Sequence, residues 1–292
     1  MAQATQGTTG ASSRVVPNKA PLRPDQVLKH AILVLAVFIA LVPTIYMIMT
    51  ALKSDNEYTF NKIGFPHALV FDHFDIVLFQ SPFFHWMGNS AILALGSVAL
   101  STAVSCLGSY AIARMEFRGR QLLFSISVAL MAIPPVVMIV PLFVLYTRLE
   151  LISTYQGAIL IYAGLITPFS VYLLTTFFRT LPKELFEAAR IDGAGDFLIL
   201  WSIVLPLSLP ALLTLVVVNA LYVWNDLLIA VLFLQDDAKR TLMAGISVFQ
   251  GRYENQIPLV MAGMLVASAP MMILYIAFQK YFIRGMMAGA VK

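Results

Sequence analysis

The sequence predicts an all-α polytopic membrane protein with six transmembrane helices, and three observations carry that prediction. Of 292 residues, 60% are hydrophobic and 12% charged, against about 45–50% and about 25% in soluble domains. The apolar residues gather in six runs, 30–52, 89–113, 122–146, 155–178, roughly 202–224 and 259–278. Each is long enough to cross ~30 Å of hydrocarbon, and none contains Asp, Glu, Lys or Arg. The basic residues alternate in density between the breaks: thirteen lie in the N-terminal tail, 114–121, 179–201 and the C-terminal end, and six in 53–88, 147–154 and 225–258. The positive-inside rule then puts both termini in the cytoplasm, as an even number of spans requires.

Residues 1–29 read as a disordered cytoplasmic tail, because Ala, Gly, Thr, Ser and Gln with scattered Pro bury too little apolar surface to offset ordering entropy. Residues 30–84 hold the first span and an extracytoplasmic loop. That span carries no A-x-A site, so it reads as an anchor and not as a cleaved signal. Residues 85–280 make the core transmembrane domain, and 281–292 a cytoplasmic C-terminal tail. The loops 53–88 and 225–258 are each over thirty residues long, and the first is rich in aromatics, Phe60, Phe65, Phe71, Phe74, Phe79, Phe83, Phe84 and Trp86. Two readings of them stand: segments folded against the membrane face, or an interfacial belt at headgroup level. Pro134–Pro135 interrupts the third run, and Pro206 and Pro210 the fifth. Each proline deletes a backbone hydrogen bond and bends its helix, which suits a moving translocation path and also occurs in static bundles.

Several classes of chemistry are excluded. No basic cluster interleaved with aromatics marks a nucleic-acid partner, and Cys106, the single cysteine, allows neither an internal disulfide nor a C-x-x-C site. The spans lack the ionisable side chain that ion-coupled carriers keep inside the bilayer. H-E-x-x-H is absent, none of His30, His67, His73 and His85 lies deep in a span, and there is no G-x-x-x-x-G-K-[ST] loop. If the protein pumps, its energy comes from another subunit.

The break before the fifth run could receive that energy. Leu181-Pro-Lys-Glu-Leu-Phe-Glu-Ala-Ala-Arg-Ile-Asp-Gly193 reads as a short helix with Pro182 as its first residue. Glu184 in the first turn complements the helix dipole, and Leu185, Ala188 and Ala189 share an apolar face of small residues. Asp192 takes a capping or turn role with Gly193, the left-handed stop. Glu187-Ala188-Ala189, three residues, Gly193, nine residues, then Ile203-x-Leu205-Pro206 resembles the E-A-A loop of bacterial ABC-type import permeases. Every signature position matches.

From about residue 30 to the end, the order and spacing of further pieces are similar to carbohydrate permeases of the maltose-transporter type, specifically their six-span second permease. These are Tyr110-Ala-Ile-Ala-Arg114 with its continuation to Arg120, Trp224-Asn225-Asp226 and the closing Gly289-Ala290-Val291-Lys292. The resemblance implies a type I importer permease fold and no catalytic residues. It implies a homologous second permease, two ATP-binding subunits, an extracytoplasmic solute-binding protein and a sugar as partners, in the lipid of a bacterial inner membrane. Glu187, Ala188, Ala189, Asp192 and Gly193 would couple to the ATPase. No cofactor would bind this chain, ATP and magnesium being held by that partner.

Sugars are held by aromatic faces and fixed polar groups, and Tyr162, Thr167, Ser170, Asn219 and Tyr222 lie deep enough in the fourth and fifth runs to serve. The competing reading makes the tyrosines belt residues and the small polar side chains interhelical glue. An ion-coupled carrier, or a permease for a non-sugar solute, is the alternative function.

Overall fold

The computed structural model describes residues 24–252 and 256–290, with side chains described for 26–249 and 256–280. The predicted tail therefore lies outside the described residues up to position 23. Every regular element among the described residues is helical. They divide into two units, 1–46 and 47–292, each taken by itself. The described part of the first is the helix α1 (Pro24–Ala51) up to Tyr46. It begins six residues before the predicted run, and its side chains from 26 to 45 are exposed.

The second unit opens with the end of α1, α2 (Asp55–Phe60) and α3 (Asp72–Asp75), which runs into a π turn at Ile76–Gln80. The 32-residue helix α4 (Phe83–Arg114) follows. It starts six residues before the predicted run because Phe83 and Trp86, at 1% and 5% exposure, join Leu242, Ile246 and Leu259 in a core cluster. Phe60, Phe65, Phe71, Phe79 and Phe84 stay exposed. The loop aromatics thus divide between the body of the unit and its surface.

The third run is two helices, α5 (Arg120–Leu130) and α6 (Pro135–Arg148), bent by 101°. Pro134 is extended at ψ 131° and caps a helix whose first residue is Pro135. Two successive prolines supply no N–H, and each pushes its predecessor out of the α region. The loop after α6 places Glu150 and Ser153 at positive φ, 55° and 54°. Thr154 then accepts from the Gly157 amide at 3.0 Å to cap α7 (Tyr155–Thr180). A Cβ on Gly157 would overlap the Leu151 carbonyl oxygen, so this turn needs glycine.

After α8 (Lys183–Ile191), the fifth span is α9 (Asp196–Ile199), a π turn at Leu200–Val204, α10 (Leu205–Leu207) and α11 (Leu209–Asn225). The helical stretch begins six residues before the predicted run: Gly195 is extended, Asp196 opens the first turn, and Ile199, Leu200 and Val204 are buried. The apolar Phe197–Trp201 is helix, not loop. The stretch bends by 78° between Leu207 and Leu209, where Ser208 sits between Pro206 and Pro210. Both predicted proline breaks are therefore present. The chain closes with α12 (Leu228–Phe233), α13 (Leu242–Arg252) and α14 (Ile257–Ala290), the last running through most of the predicted C-terminal tail. Among the described residues, four helices are long and apolar enough to cross a membrane, or up to six spans if each bent pair is one.

The unit is organised on α4 and α7, its most extensive helix contact. Ser97, Ser101, Ser105 and Ser109 recur every four residues on α4, each at most 1% exposed. Ser109 donates to the Val171 carbonyl at 3.1 Å and Ser101 meets Thr167 at 3.0 Å. Small hydroxyl residues let two helix backbones approach closely and bond across the seam. At the other end of α4, Asn89 donates to the carbonyls of Ala238 and Arg240 at 3.0 and 2.8 Å, and Ser90 accepts from the Leu242 amide at 2.9 Å. Ser153 accepts from the amides of Gln235 and Asp236 at 3.0 and 3.2 Å, so the segment between α12 and α13 is clamped from two sides.

Candidate functional site

The short helix expected before the fifth span is α8. Leu181 and Pro182 are extended, at ψ 140° and 137°, Leu181 because a residue before proline avoids the α region and Pro182 as the cap that precedes the helix. Pro182 is thus the N-cap and Lys183 the first helical residue, one later than predicted. Gly193, at φ +83°, donates its amide to the Arg190 carbonyl at 3.0 Å, while Ala194 donates to that of Ala189 at 2.9 Å. This paired closure requires the left-handed conformation glycine adopts freely. Asp192 is the exposed C-cap.

The faces of α8 differ from those expected. Phe186 and Ala189 are buried, at 6% and 9% exposure, whereas Glu187, Ala188 and Leu185 are exposed and Ile191 is 86% exposed. Leu185, Ala188 and Ala189 lie on one side of the helix by their spacing, but Ala189 is turned into the core and the three do not make one free docking face. Phe186 carries more apolar area than any other side chain of the helix and takes the core position, turning Ala189 inward beside it. The outward surface is Glu187, Ala188 and Ile191, and on it the backbone can be approached closely only at Ala188.

The inward side is fixed to the last turn of α4. The Arg114 guanidinium lies 4.1 Å over the Phe186 ring and donates to the carbonyls of Phe178 and Leu181, the latter at 2.6 Å. Tyr110, one turn earlier, donates to Asp196 Oδ1 at 2.9 Å, and Arg190 pairs with the same oxygen at 3.1 Å. Hydrogen bonding to that carboxylate holds the Arg190 guanidinium above its ordinary range. The sequence alone marks Tyr110 and Arg114 without pointing to a partner for either. Their signal was the four-residue spacing, matched by Phe186 and Arg190 on α8.

Of the candidate pathway residues, three come together and two do not. Thr167, Ser170 and Asn219 meet: Asn219 donates to Ser170 at 2.9 Å, and Ser101 lies within 3.3 Å of Ser170. This joins α4, α7 and α11. Tyr162 has no exposed surface and donates to Asp226 Oδ1 at 2.9 Å, an oxygen that also accepts from the Ile229 amide at 2.9 Å. Tyr222 stands apart, 41% exposed. It lines, with Asn219, Tyr146 and Phe169, a cavity of about 520 Å³ at the α5–α6 break. A second cavity of about 760 Å³, walled almost wholly by apolar side chains of α4, the α9–α11 stretch and α14, opens on the other side of α11. Among the described residues no three His, Cys, Asp or Glu come together as a metal site.

Residues 105–288 match the family described as the binding-protein-dependent transport system inner membrane component. The melibiose/raffinose/stachyose import permease protein MelC of Bacillus subtilis is 35% identical over 86% of this chain and 91% of its own. The trehalose/maltose transport system permease protein MalG of Thermococcus litoralis is 33% identical over 92% of this chain and 99% of its own. In fold, the chain resembles a chain from the crystal structure of a bacterial ABC transporter involved in the import of the acidic polysaccharide alginate. The TM-score is 0.75 at 24% identity, covering 91% of this chain and all of that one.

Proposed function

As a member of the family of binding-protein-dependent transport system inner membrane components, the chain is a multi-pass permease subunit, and we propose that it forms half of the translocation path of an ATP-driven carbohydrate importer. Its partners in this reading are a homologous permease, two ATP-binding subunits that hold ATP and magnesium, and an extracytoplasmic solute-binding protein. Both termini and α8 face the cytoplasm. The substrate class rests on relatives named for melibiose, raffinose, stachyose, trehalose and maltose import.

The observation that carries the reading is the construction of α8. Its Phe186 lies under the Arg114 guanidinium of α4, which also bonds the end of α7, its C-terminus is closed at Gly193, and Glu187, Ala188 and Ile191 are left facing out. A helix held this way can accept a protein cleft on one side and pass force on from the other. Asn219 and Tyr222 line the 520 Å³ cavity and are the proposed sugar contacts, with Tyr162, Thr167 and Ser170 in the wall behind. An apolar cavity with a few convergent polar groups is the usual form of a small-molecule site.

Affinity purification of the tagged chain from its native membrane tests the reading. A stoichiometric ATP-binding subunit is expected, together with loss of uptake of a carbohydrate on deletion. Purification without any ATPase, or unimpaired use of every carbohydrate with loss of amino-acid or peptide uptake, would overturn the coupling or the sugar assignment respectively.

A further inference from the structure

Two links one helical turn apart join α8 to α4, one direct and one bridged by Asp196 at the start of α9. Tyr110 and Arg114 are four residues apart on α4, and Phe186 and Arg190 four apart on α8, so each pair lies along one face of its helix. Arg114 stacks on Phe186 at 4.1 Å, and Tyr110 and Arg190 both donate to Asp196 Oδ1, at 2.9 and 3.1 Å. Phe186 and Tyr110 are buried, at 6% and 4% exposure. The Arg114 Nη2 group also ties down two carbonyls at the end of α7, those of Phe178 and Leu181. One side chain thus grips α4, α7 and α8, and its Nε is buried without a partner.

From this juxtaposition we infer that Arg114, stacked on Phe186, is the positioning residue that fixes α8 to the transmembrane core and carries its displacement into α4 and α7. The inference rests on the reading of α8 as the ATPase-docking element and assigns the joint through which that element acts. A planar guanidinium over an aromatic face is attractive and orientation-dependent. An ordinary apolar contact at Phe186 would fill space without fixing the angle between the helices. A rocking α8 would slide over such a contact and, held by Arg114, takes α4 with it.

The test separates gripping from packing. Phe186→Leu keeps an apolar side chain and removes the ring face, whereas Phe186→Trp keeps the face. In the complete importer reconstituted with its binding protein, import per ATP hydrolysed is expected to fall about 5- to 20-fold in Phe186→Leu and Arg114→Ala. It should recover in Phe186→Trp, and the double variant should be no worse than the poorer single one, because both remove the same contact. Import per ATP in Phe186→Leu equal to that of the starting protein, or additive losses in the double variant, overturns the inference. If Arg114→Ala does not assemble, the Phe186→Leu and Phe186→Trp pair decides alone. Absence of an ATPase from the unaltered complex would instead defeat the reading of α8 itself.

Discussion

The hydroxyl of Tyr162, a side chain with no exposed surface, donates to the Asp226 carboxylate at 2.9 Å, and the same oxygen caps the first turn of α12. The fourth span, two turns from its start, is thereby tied to the residue that ends the fifth. Tyr162→Phe removes the donor and leaves the acceptor partly buried. Thermal unfolding in detergent should show a loss of about 1–3 kcal/mol, and an unchanged melting temperature would mean the bond contributes nothing.

At the C-terminal end of α8, Gly193→Val is expected to be a sharper lesion than Glu187→Ala. A β-branched residue at φ +83° is strained wherever space allows it, by more than the ~1–2 kcal/mol an ordinary side chain meets there. The chain should reach the membrane at normal level and either lose its ATPase or hydrolyse ATP without import. Glu187→Ala, at an exposed position, should weaken capture by under about 1 kcal/mol. Wild-type import by Gly193→Val with the ATPase bound would remove α8 from the coupling route.

Thiol labelling addresses orientation. With Cys106 replaced, a cysteine at Ile63, which is 82% exposed, should react with an impermeant reagent added to cells with a permeable outer surface. One at Lys183, also exposed, should react only after lysis. Labelling of Lys183→Cys from outside would invert the topology.

Asn219 both makes an interhelical bond and forms part of the cavity wall, whereas Tyr222 tests the pathway alone. Asn219→Ala breaks the bond to Ser170 at 2.9 Å and should lower stability by ~1 kcal/mol. Tyr222, 41% exposed on the cavity wall, should change stability by less than about 0.5 kcal/mol when replaced by alanine while raising the sugar concentration for half-maximal import. Unaltered transport kinetics in Tyr222→Ala would place the sugar elsewhere.

In the loop after α1, the Glu57 carboxylate accepts from the His67 amide at 2.7 Å and contacts its ring at 2.8 Å, which holds its pKa below the usual value. A carboxylate lowered in the folded state contributes above its unfolded pKa and ceases to as pH falls through the folded one. Protection of the His67 amide from hydrogen exchange should therefore be lost on the acid side of the ordinary carboxylate range. Protection that persists there would assign it to the backbone alone.

What was legible in the sequence acts within a few residues. Pro134–Pro135 and Pro206 with Pro210 break their own helices, and Gly193 stops its own, whatever surrounds them. The run lengths and the charge-free composition marked the spans for the same reason. What was not legible depends on distant partners. Helical spacing placed Leu185, Ala188 and Ala189 together, yet the pocket between Arg114 and the end of α7 selects Phe186 and turns Ala189 inward. Trp86 likewise extends α4 because α13 and α14 cover it, and the helical start at Asp196 depends on Tyr110 and Arg190.

The broken spans give α4 a role beyond its length. The α5–α6 pair turns through 101° and the fifth span through 78°, so an axial push at one end of either is dissipated as rotation at its elbow. By contrast α4 runs without a break for 32 residues, about 48 Å at the α-helical rise. One end is gripped at Tyr110 and Arg114, and the other holds the segment between α12 and α13 through Asn89 and Ser90. An unbent rod held at both ends would pass a nudge along its axis with the sense preserved, where either bent pair would turn it aside.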